Sequence, residues 1–260
     1  MRKKGIFAGA LTLGLMMFIH QPIHAHAADA VFIDENSFPD EYFRQYVSER
    51  YDLDGDGYLD EEECGKVESL VFNSDPISTF AGIEYFPNLN SFQCYNCGTS
   101  ELDVSHNTAL TWINCERCNL KSLDVSHNPA LEKLYCSNNQ LTELDVSNCP
   151  LLTELGCSYN QLTELDVSNC PLLTSLNCDN NQITTLDLRN NKKLDHLAVY
   201  LNELVALDVS NCTELVTKDE RQRCIKTRYG LYSNVVLHLT CPDCGGEPEG
   251  GKSDGAVMWD

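Results

Sequence analysis

The segment Asp52-Leu53-Asp54-Gly55-Asp56-Gly57-Tyr58-Leu59-Asp60-Glu61-Glu62-Glu63 carries the most specific chemistry in the chain. Carboxylates fall at positions 1, 3, 5, 9 and 12 of a twelve-residue frame, glycine stands at position 6 and an apolar residue at position 8. Oxygen donors at that spacing wrap one Ca2+ ion. Asp52, Asp54, Asp56 and Asp60 present side-chain oxygens, Tyr58 its backbone carbonyl, and Glu63 both carboxylate oxygens, while the glycine allows the sharp turn. The alternative is an acidic, solvated turn; the complete match favours one calcium site.

Such a loop needs helices around it. The run PDEYFRQYVSERY just before it predicts an amphipathic incoming helix, with Phe38, Tyr42 and Tyr46 on one stripe and Phe43 and Val47 beside them, as in an EF-hand. Only one such loop is present, so the expected role is to fold an N-terminal cap over residues 28–66 rather than to sense a signal. A dockerin-like module would carry two loops.

What the cap covers is legible in the period that follows. Leu110, Leu131, Leu152, Leu173 and Leu194 are 21 residues apart, and each opens a similar sentence, such as LEKLYCSNNQLTELDVSNCPL from Leu131. A blurred copy starts at Leu89 and a longer variant runs from Val67 to Asn88, giving about seven repeats over residues 67–214. This is the signature of a leucine-rich-repeat solenoid. In L-x-x-L-x-C, Leu134 and Cys136 are two apart and point inward from a short strand, with the residues between pointing outward. Seven rungs at strand spacing give a parallel sheet about 34 Å long. Repeats this short leave no room for a full helix on the convex side. The expected fold is a right-handed parallel β-solenoid with few helices and a small α-helical, EF-hand-like cap.

Fourteen cysteines in one chain would ordinarily suggest a disulfide scaffold. The period gives another account. Cys94, Cys115, Cys136, Cys157 and Cys178 share an inward column with Val199, so they act as small hydrophobes. Cys97 and Cys118 stand where Asn139, Asn160, Asn181 and Asn202 stand in other repeats, and Cys149, Cys170 and Cys212 alternate with Asn107, Asn128 and Asn191. A ladder of buried thiols is expected. Cys64, Cys224, Cys241 and Cys244 remain; CPDCGG lacks the second pair a structural zinc site requires, and a disulfide or plain thiols in a C-terminal cap over 215–244 is the preferred reading.

The inward columns repeat, but the outward strand positions do not. Tyr95, Trp112, Tyr135, Tyr159 and Tyr200 are rings that the repeat does not require, set among Asn and Ser with His196 beside them, a chemistry typical of a binding surface. Ordinary exposed aromatic cover is the competing reading. A column of aspartates, from Asp103 through Asp208 at the same period, reads as local turn chemistry, each carboxylate taking a nearby backbone N–H. His106 and His127 share a turn position with asparagines and are not ligands.

Charge and targeting narrow the function. With 18 Lys+Arg against 39 Asp+Glu and a net charge of −21, the chain repels polyanions, so nucleic acid is excluded as a partner. Arg2, Lys3 and Lys4, the apolar run from Ile6 to Ile19 and Ala25-His26-Ala27 read as a signal peptide over residues 1–27, cleaved after Ala27, in a secreted protein without membrane insertion. No nucleophile elbow, zinc-protease motif or phosphate loop is present, and no enzyme is expected. After the repeats, a helix over Lys218–Thr227 and an edge strand over Asn234–Leu239 are expected, then a flexible tail over 245–260.

Together these features resemble the internalin-like leucine-rich-repeat proteins of bacteria. The match runs over roughly Asp34 to Thr213, on the pattern L-x-x-L-x-C-x-x-N-x-L-x-x-L-D-V-S-x-N with its cysteine ladder. The resemblance implies an exported binding protein that uses its concave face on a protein or glycoprotein, often on a host surface. No L-P-x-T-G sorting signal or hydrophobic tail follows the repeats, so no anchor is expected. A calcium-stabilised structural or assembly protein of the cell surface is the alternative.

Overall fold

The structure is a computed structural model that describes residues 30–204, 206–209, 211–212, 214–215 and 236–238. The leader over 1–27, the helix expected over 218–227, Cys224, Cys241, Cys244 and the tail lie outside the described residues.

The 21-residue period becomes a seven-stranded parallel sheet. Its strands, in order, are β3 (Ser69–Asn73), β4 (Ser91–Tyr95), β5 (Trp112–Asn114), β6 (Lys133–Tyr135), β7 (Glu154–Gly156), β8 (Ser175–Asn177) and β9 (His196–Ala198). The register follows the repeat, pairing Leu134 with Leu155 and Leu155 with Leu176. A further strand, β10 (Ala206–Asp208), pairs in parallel with β11 (Val236–His238), within the segment expected to form a strand. On the opposite side the chain runs through turns, with isolated bridges Asp103↔Asp124 and Asp187↔Asp208 and no full helix among the described residues.

The core consists of columns. Leu89, Leu110, Leu131, Leu152, Leu173 and Leu194 are fully buried, as are Cys94, Cys115, Cys136, Cys157 and Cys178, with Val199 ending that column. No rung could bury this surface alone; each is covered by its neighbours. All eleven described cysteines are free and buried. Burial pushes the thiols of Cys97, Cys149 and Cys212 up to about 11 and that of Cys170 to about 12, so they stay protonated near neutrality and behave as apolar packing.

Two asparagine columns tie the rungs together, and they do so differently. Asn160 donates from Nδ2 to Cys136 O at 3.1 Å and Cys157 O at 3.0 Å, and its Oδ1 accepts from Leu141 N at 3.0 Å. Asn128 also donates twice, to Val104 O and Asn107 O, but its buried Oδ1 has no partner. A thiol supplies the donor without the orphaned acceptor, which explains why Cys149 and Cys170 fit that second column. Asn128→Cys is therefore expected to stay within about 1 kcal/mol of the native chain, whereas Asn160→Cys leaves the Leu141 N–H unpaired and costs about 1–3 kcal/mol. Urea-unfolding midpoints of the two variants separate these outcomes.

The cap closes the first rung with aromatic rings. Helix α1 (Glu41–Tyr51) is capped by Asp40, whose Oδ1 accepts from Phe43 N at 2.9 Å while Oδ2 takes both Ser78 N and Ser78 Oγ at 2.8 Å. One residue thus starts the helix and pins it to the solenoid. The buried face of α1 is Phe43 and Val47, with Phe38 buried just before the helix. The expected Phe38/Tyr42/Tyr46 stripe is corrected here: Tyr42 is exposed and its hydroxyl donates to Asp75 Oδ1 at 2.7 Å. Phe43 meets Phe72 and Phe80 edge-on at 5.8 and 5.5 Å, and Phe80 meets Phe92 at 4.9 Å, carrying one ring cluster from the cap into the second rung.

Candidate functional site

Two regions were expected to carry function. The first is the acidic loop between α1 and the short helix α2 (Glu61–Gly65). Gly55 and Gly57 have φ values of 74° and 87°, the left-handed conformation that glycine adopts without a Cβ penalty, and they fold the loop back on Asp52. Asp52 Oδ1 accepts from Gly55 N at 2.8 Å and Asp56 N at 3.1 Å, and its Oδ2 from Gly57 N at 3.1 Å. Glu63 is buried and reaches back from α2: Oε1 accepts from Leu53 N at 2.7 Å and Oε2 from Asp60 N at 3.0 Å. Asp60 Oδ1 in turn accepts from Glu63 N at 2.8 Å, completing a capping box.

Carboxylate oxygens of Asp52, Asp54 and Glu63 consequently lie within 4.8 Å of one another. Oxygens on opposite sides of a Ca2+ ion are about 5 Å apart, so the three fit around one ion. Asp56 and Asp60 are not in that cluster. Asp56 Oδ1 accepts from Tyr58 N at 2.9 Å, and Asp60 caps α2, consistent with a ninth position that commonly acts through water. Tyr58 and Leu59 form strand β2, paired antiparallel with β1 (Val31–Phe32), a pairing that the sequence did not signal.

The second region is the outer surface of the seven-stranded sheet. Trp112 and His196 both open their strands and share one column, while Tyr135 lies in the next outward column. Tyr95 ends β4, Tyr200 follows β9, and the two occupy equivalent places. Tyr159 is not a strand residue, and that expectation is corrected. It sits in the turn after β7 at φ 56°, equivalent to Asn96, Asn138 and Asn180, which share the left-handed conformation. Asn adopts that geometry at lower cost than Tyr, so Tyr159→Asn is expected to stabilise the fold by about 1 kcal/mol, read as a raised thermal midpoint.

Tyr135 also differs from expectation, because the fold does use it. A Cβ on Gly156 would lie 3.0 Å from Tyr135 Cδ1, so the ring lies over a gap that the neighbouring strand leaves for it. Its hydroxyl donates to Glu154 Oε2, and Glu154 Oε1 pairs with Lys133 Nζ at 2.7 Å. Burial, then the bonded Glu154 carboxylate, raises the tyrosine pKa; Lys133, then Tyr135, lowers that of Glu154. Ser137 and Ser158, further along the same face, are buried, with Ser158 Oγ donating to Ser137 Oγ at 3.0 Å. Trp112 and Tyr159 are the exposed rings, at 36% and 55%. The Arg117 guanidinium stands 5.7 Å from the Tyr95 ring centre. What remains available is a mixed surface of Tyr95, Arg117, Trp112 and the Lys133–Glu154–Tyr135 group.

The aspartate column on the other side is structural, as expected. Asp103, Asp124, Asp145, Asp166 and Asp187 each accept the backbone N–H two residues on, at 2.8–3.0 Å. The serine hydroxyl and then this backbone N–H lower the carboxyl pKa values of Asp124 and Asp145, and the Ser105 N–H and then its hydroxyl lower that of Asp103.

Comparison with known proteins agrees with this architecture. A family described as "Leucine Rich repeats (2 copies)" matches residues 129–169 and 150–198. No curated protein matches. Among solved structures, an internalin (inlF) from Listeria monocytogenes is similar at a TM-score of 0.53 and 20% identity, over 71% of this chain and 63% of that one. Internalin C2 (inlC2) from the same organism is similar at 0.53 and 19%, over 83% of this chain and 99% of that one. The functional domain of InlJ from Listeria monocytogenes, which includes a cysteine ladder, is 32% identical over 72% of this chain, at a TM-score of 0.48. The chain spans about half the length of that InlJ domain. With its repeats, parallel sheet and column of buried thiols, the chain is a leucine-rich-repeat solenoid with cysteine-rich repeats, similar in fold to the internalins.

Proposed function

We propose that the chain is a secreted, non-enzymatic binding protein that recognises a protein or glycoprotein ligand, in host adhesion, through the outer face of its parallel sheet, with a calcium ion bracing its cap. The observation that carries the reading is a contrast between columns. Inward positions repeat as Leu and Cys, whereas the outward column Ser91, Trp112, Lys133, Glu154, Ser175 and His196 changes at every rung. The fold needs uniformity in the first set and nothing in particular from the second. The solenoid architecture supports a protein-interaction role, and the basic-apolar-small pattern of residues 1–27 supports export. No helix among the described residues is long and apolar enough to cross a membrane.

Asp52, Asp54 and Glu63 would hold the ion, whose positive charge would offset the mutual repulsion of the loop carboxylates. Its role here is structural: it would fix α1 and α2 in the cap that shields the first rung. The test is an array of extracellular proteins and glycoproteins probed with residues 28–260, in calcium and in chelator. Capture that weakens in chelator supports the reading. No capture, together with a mass that grows with concentration, replaces it with a surface-assembly role.

A further inference from the structure

We propose that Cys94 and Cys118 form a thiol–disulfide exchange site, oxidised by a low-molecular-weight disulfide to a covalent staple between two adjacent rungs of the solenoid. Their sulfurs lie 3.7 Å apart, in contact and unbonded. Both residues are fully buried.

The pairing follows from how the repeat is built. Cys118 stands in the asparagine column, three residues past the ladder. In later rungs that asparagine reaches back to the carbonyl 24 residues earlier: Asn139 to Cys115 O at 2.9 Å, Asn160 to Cys136 O at 3.1 Å, Asn181 to Cys157 O at 3.0 Å and Asn202 to Cys178 O at 2.9 Å. Cys118 makes the same reach, its sulfur 2.6 Å from Cys94 O. The residue reached is a ladder cysteine in each of these cases, but only at 118 is the reaching residue also a cysteine. Cys97, the other cysteine of the column, stands 24 residues after Asn73. The period therefore brings two thiols onto one spot once in the described residues. Neighbouring ladder thiols stand side by side on successive strands, about 4.8 Å apart at the backbone, and lack this crossing.

Closing the bond requires the sulfurs to approach by about 1.7 Å, to the length of a disulfide. The Cys118 thiol loses its proton, and the thiolate attacks one sulfur of the small disulfide, breaking its S–S bond and releasing one thiolate. The Cys94 thiol then loses its proton, and its sulfur attacks the Cys118 sulfur of the mixed disulfide, expelling the second thiolate. Two protein thiols become one disulfide, and one small disulfide becomes two small thiols. Both sulfurs are covered in the finished fold, so exchange occurs while the rungs close, and the same burial then shields the bond from reductants.

The test uses the full chain, reduced and unfolded, then refolded in a buffer of reduced and oxidised glutathione. Free thiols are alkylated and the protein is digested without reduction by trypsin and a glutamate-specific protease. Cleavage at Glu101, Glu116 and Lys121 separates Cys118 from Cys115 and from the Cys94/Cys97 fragment, and fragmentation resolves the last two. The expected result is a linked pair of peptides joining Cys94 to Cys118, about 2 Da lighter than the separate thiol peptides combined. In Cys118→Asn, which restores the residue found in later repeats, Cys94 is expected to be fully alkylated. Alkylation of both Cys94 and Cys118 in the native sequence overturns the proposal, as does a bond from either to another cysteine. The outcome is independent of ligand binding and of export.

Discussion

Gly82→Ala is expected to destabilise the chain by about 3–5 kcal/mol, the sum of overpacking and backbone strain. Gly82 has φ 112°, a conformation that L side chains rarely adopt. A Cβ there would lie 2.3 Å from Phe38 Cδ1, 2.6 Å from Phe38 Cε1 and 2.9 Å from Ser37 O. Neither neighbour can withdraw easily. Phe38 is fully buried, with its ring 5.9 Å from Phe43 and 6.2 Å from Phe86. The added methyl group therefore pushes on the contact that seats the cap on the solenoid. Gly98→Ala is the control: its Cβ would meet only Ile77 O, at 3.4 Å, and its backbone carries no positive φ, so a change below about 1 kcal/mol is expected. Urea unfolding measures both, and equal midpoints for the two variants would show that the cap contact contributes little.

The second large effect concerns Glu63. In the calcium reading it supplies two of the ion's oxygens, and in the protein alone it accepts from Leu53 N and Asp60 N. Glu63→Gln keeps the size of the side chain but loses the charge and one acceptor oxygen. A ligand that binds only the folded state at a hundred times its dissociation constant adds about 2.7 kcal/mol. The native chain is accordingly expected to melt several degrees higher in millimolar calcium than in chelator, and Glu63→Gln to melt at one temperature in both. A native chain whose midpoint does not respond to calcium contradicts the site, whatever the variant does.

The parts of this structure that were legible in the sequence are those that recur. Leu131 predicts Leu152 because each rung repeats its neighbour's core, and the Cys94-to-Val199 column could be recognised as packing because one member is not a cysteine. The acidic loop was legible because the twelve-residue frame fixes donor order, although the frame could not show that Asp60 caps α2 rather than joining Asp52, Asp54 and Glu63. The cap's ring cluster was hidden. Phe72 and Phe92 stand at inward positions of the two irregular first copies, where later repeats carry Cys and Leu, and Phe43 and Phe80 lie outside the 21-residue frame, so the period does not show the four rings together.

The outer face was only half legible, although its signal was present. Residues 21 apart are cross-rung neighbours, so Lys133 facing Glu154 and Tyr135 facing Gly156 can be paired by counting. Reading the columns pairwise would have shown that the Tyr135 ring lies over a glycine and is committed to Glu154, leaving Trp112 as the more available anchor. The displacement of Tyr159 into a left-handed turn follows from the same count, since Asn holds that place in three other rungs.

The most direct test of the binding account is the affinity of residues 28–260 for a captured ligand, compared between one variant on each side of the solenoid. Trp112→Ala alters the exposed ring on the sheet's outer face, and Glu143→Ala alters an exposed carboxylate on the opposite, turn-lined side. A loss of at least about tenfold for Trp112→Ala, with Glu143→Ala unchanged, is the predicted result and corresponds to about 1.4 kcal/mol at one anchor residue. Equal affinities for Trp112→Ala and the native chain, or a loss confined to Glu143→Ala, would contradict it.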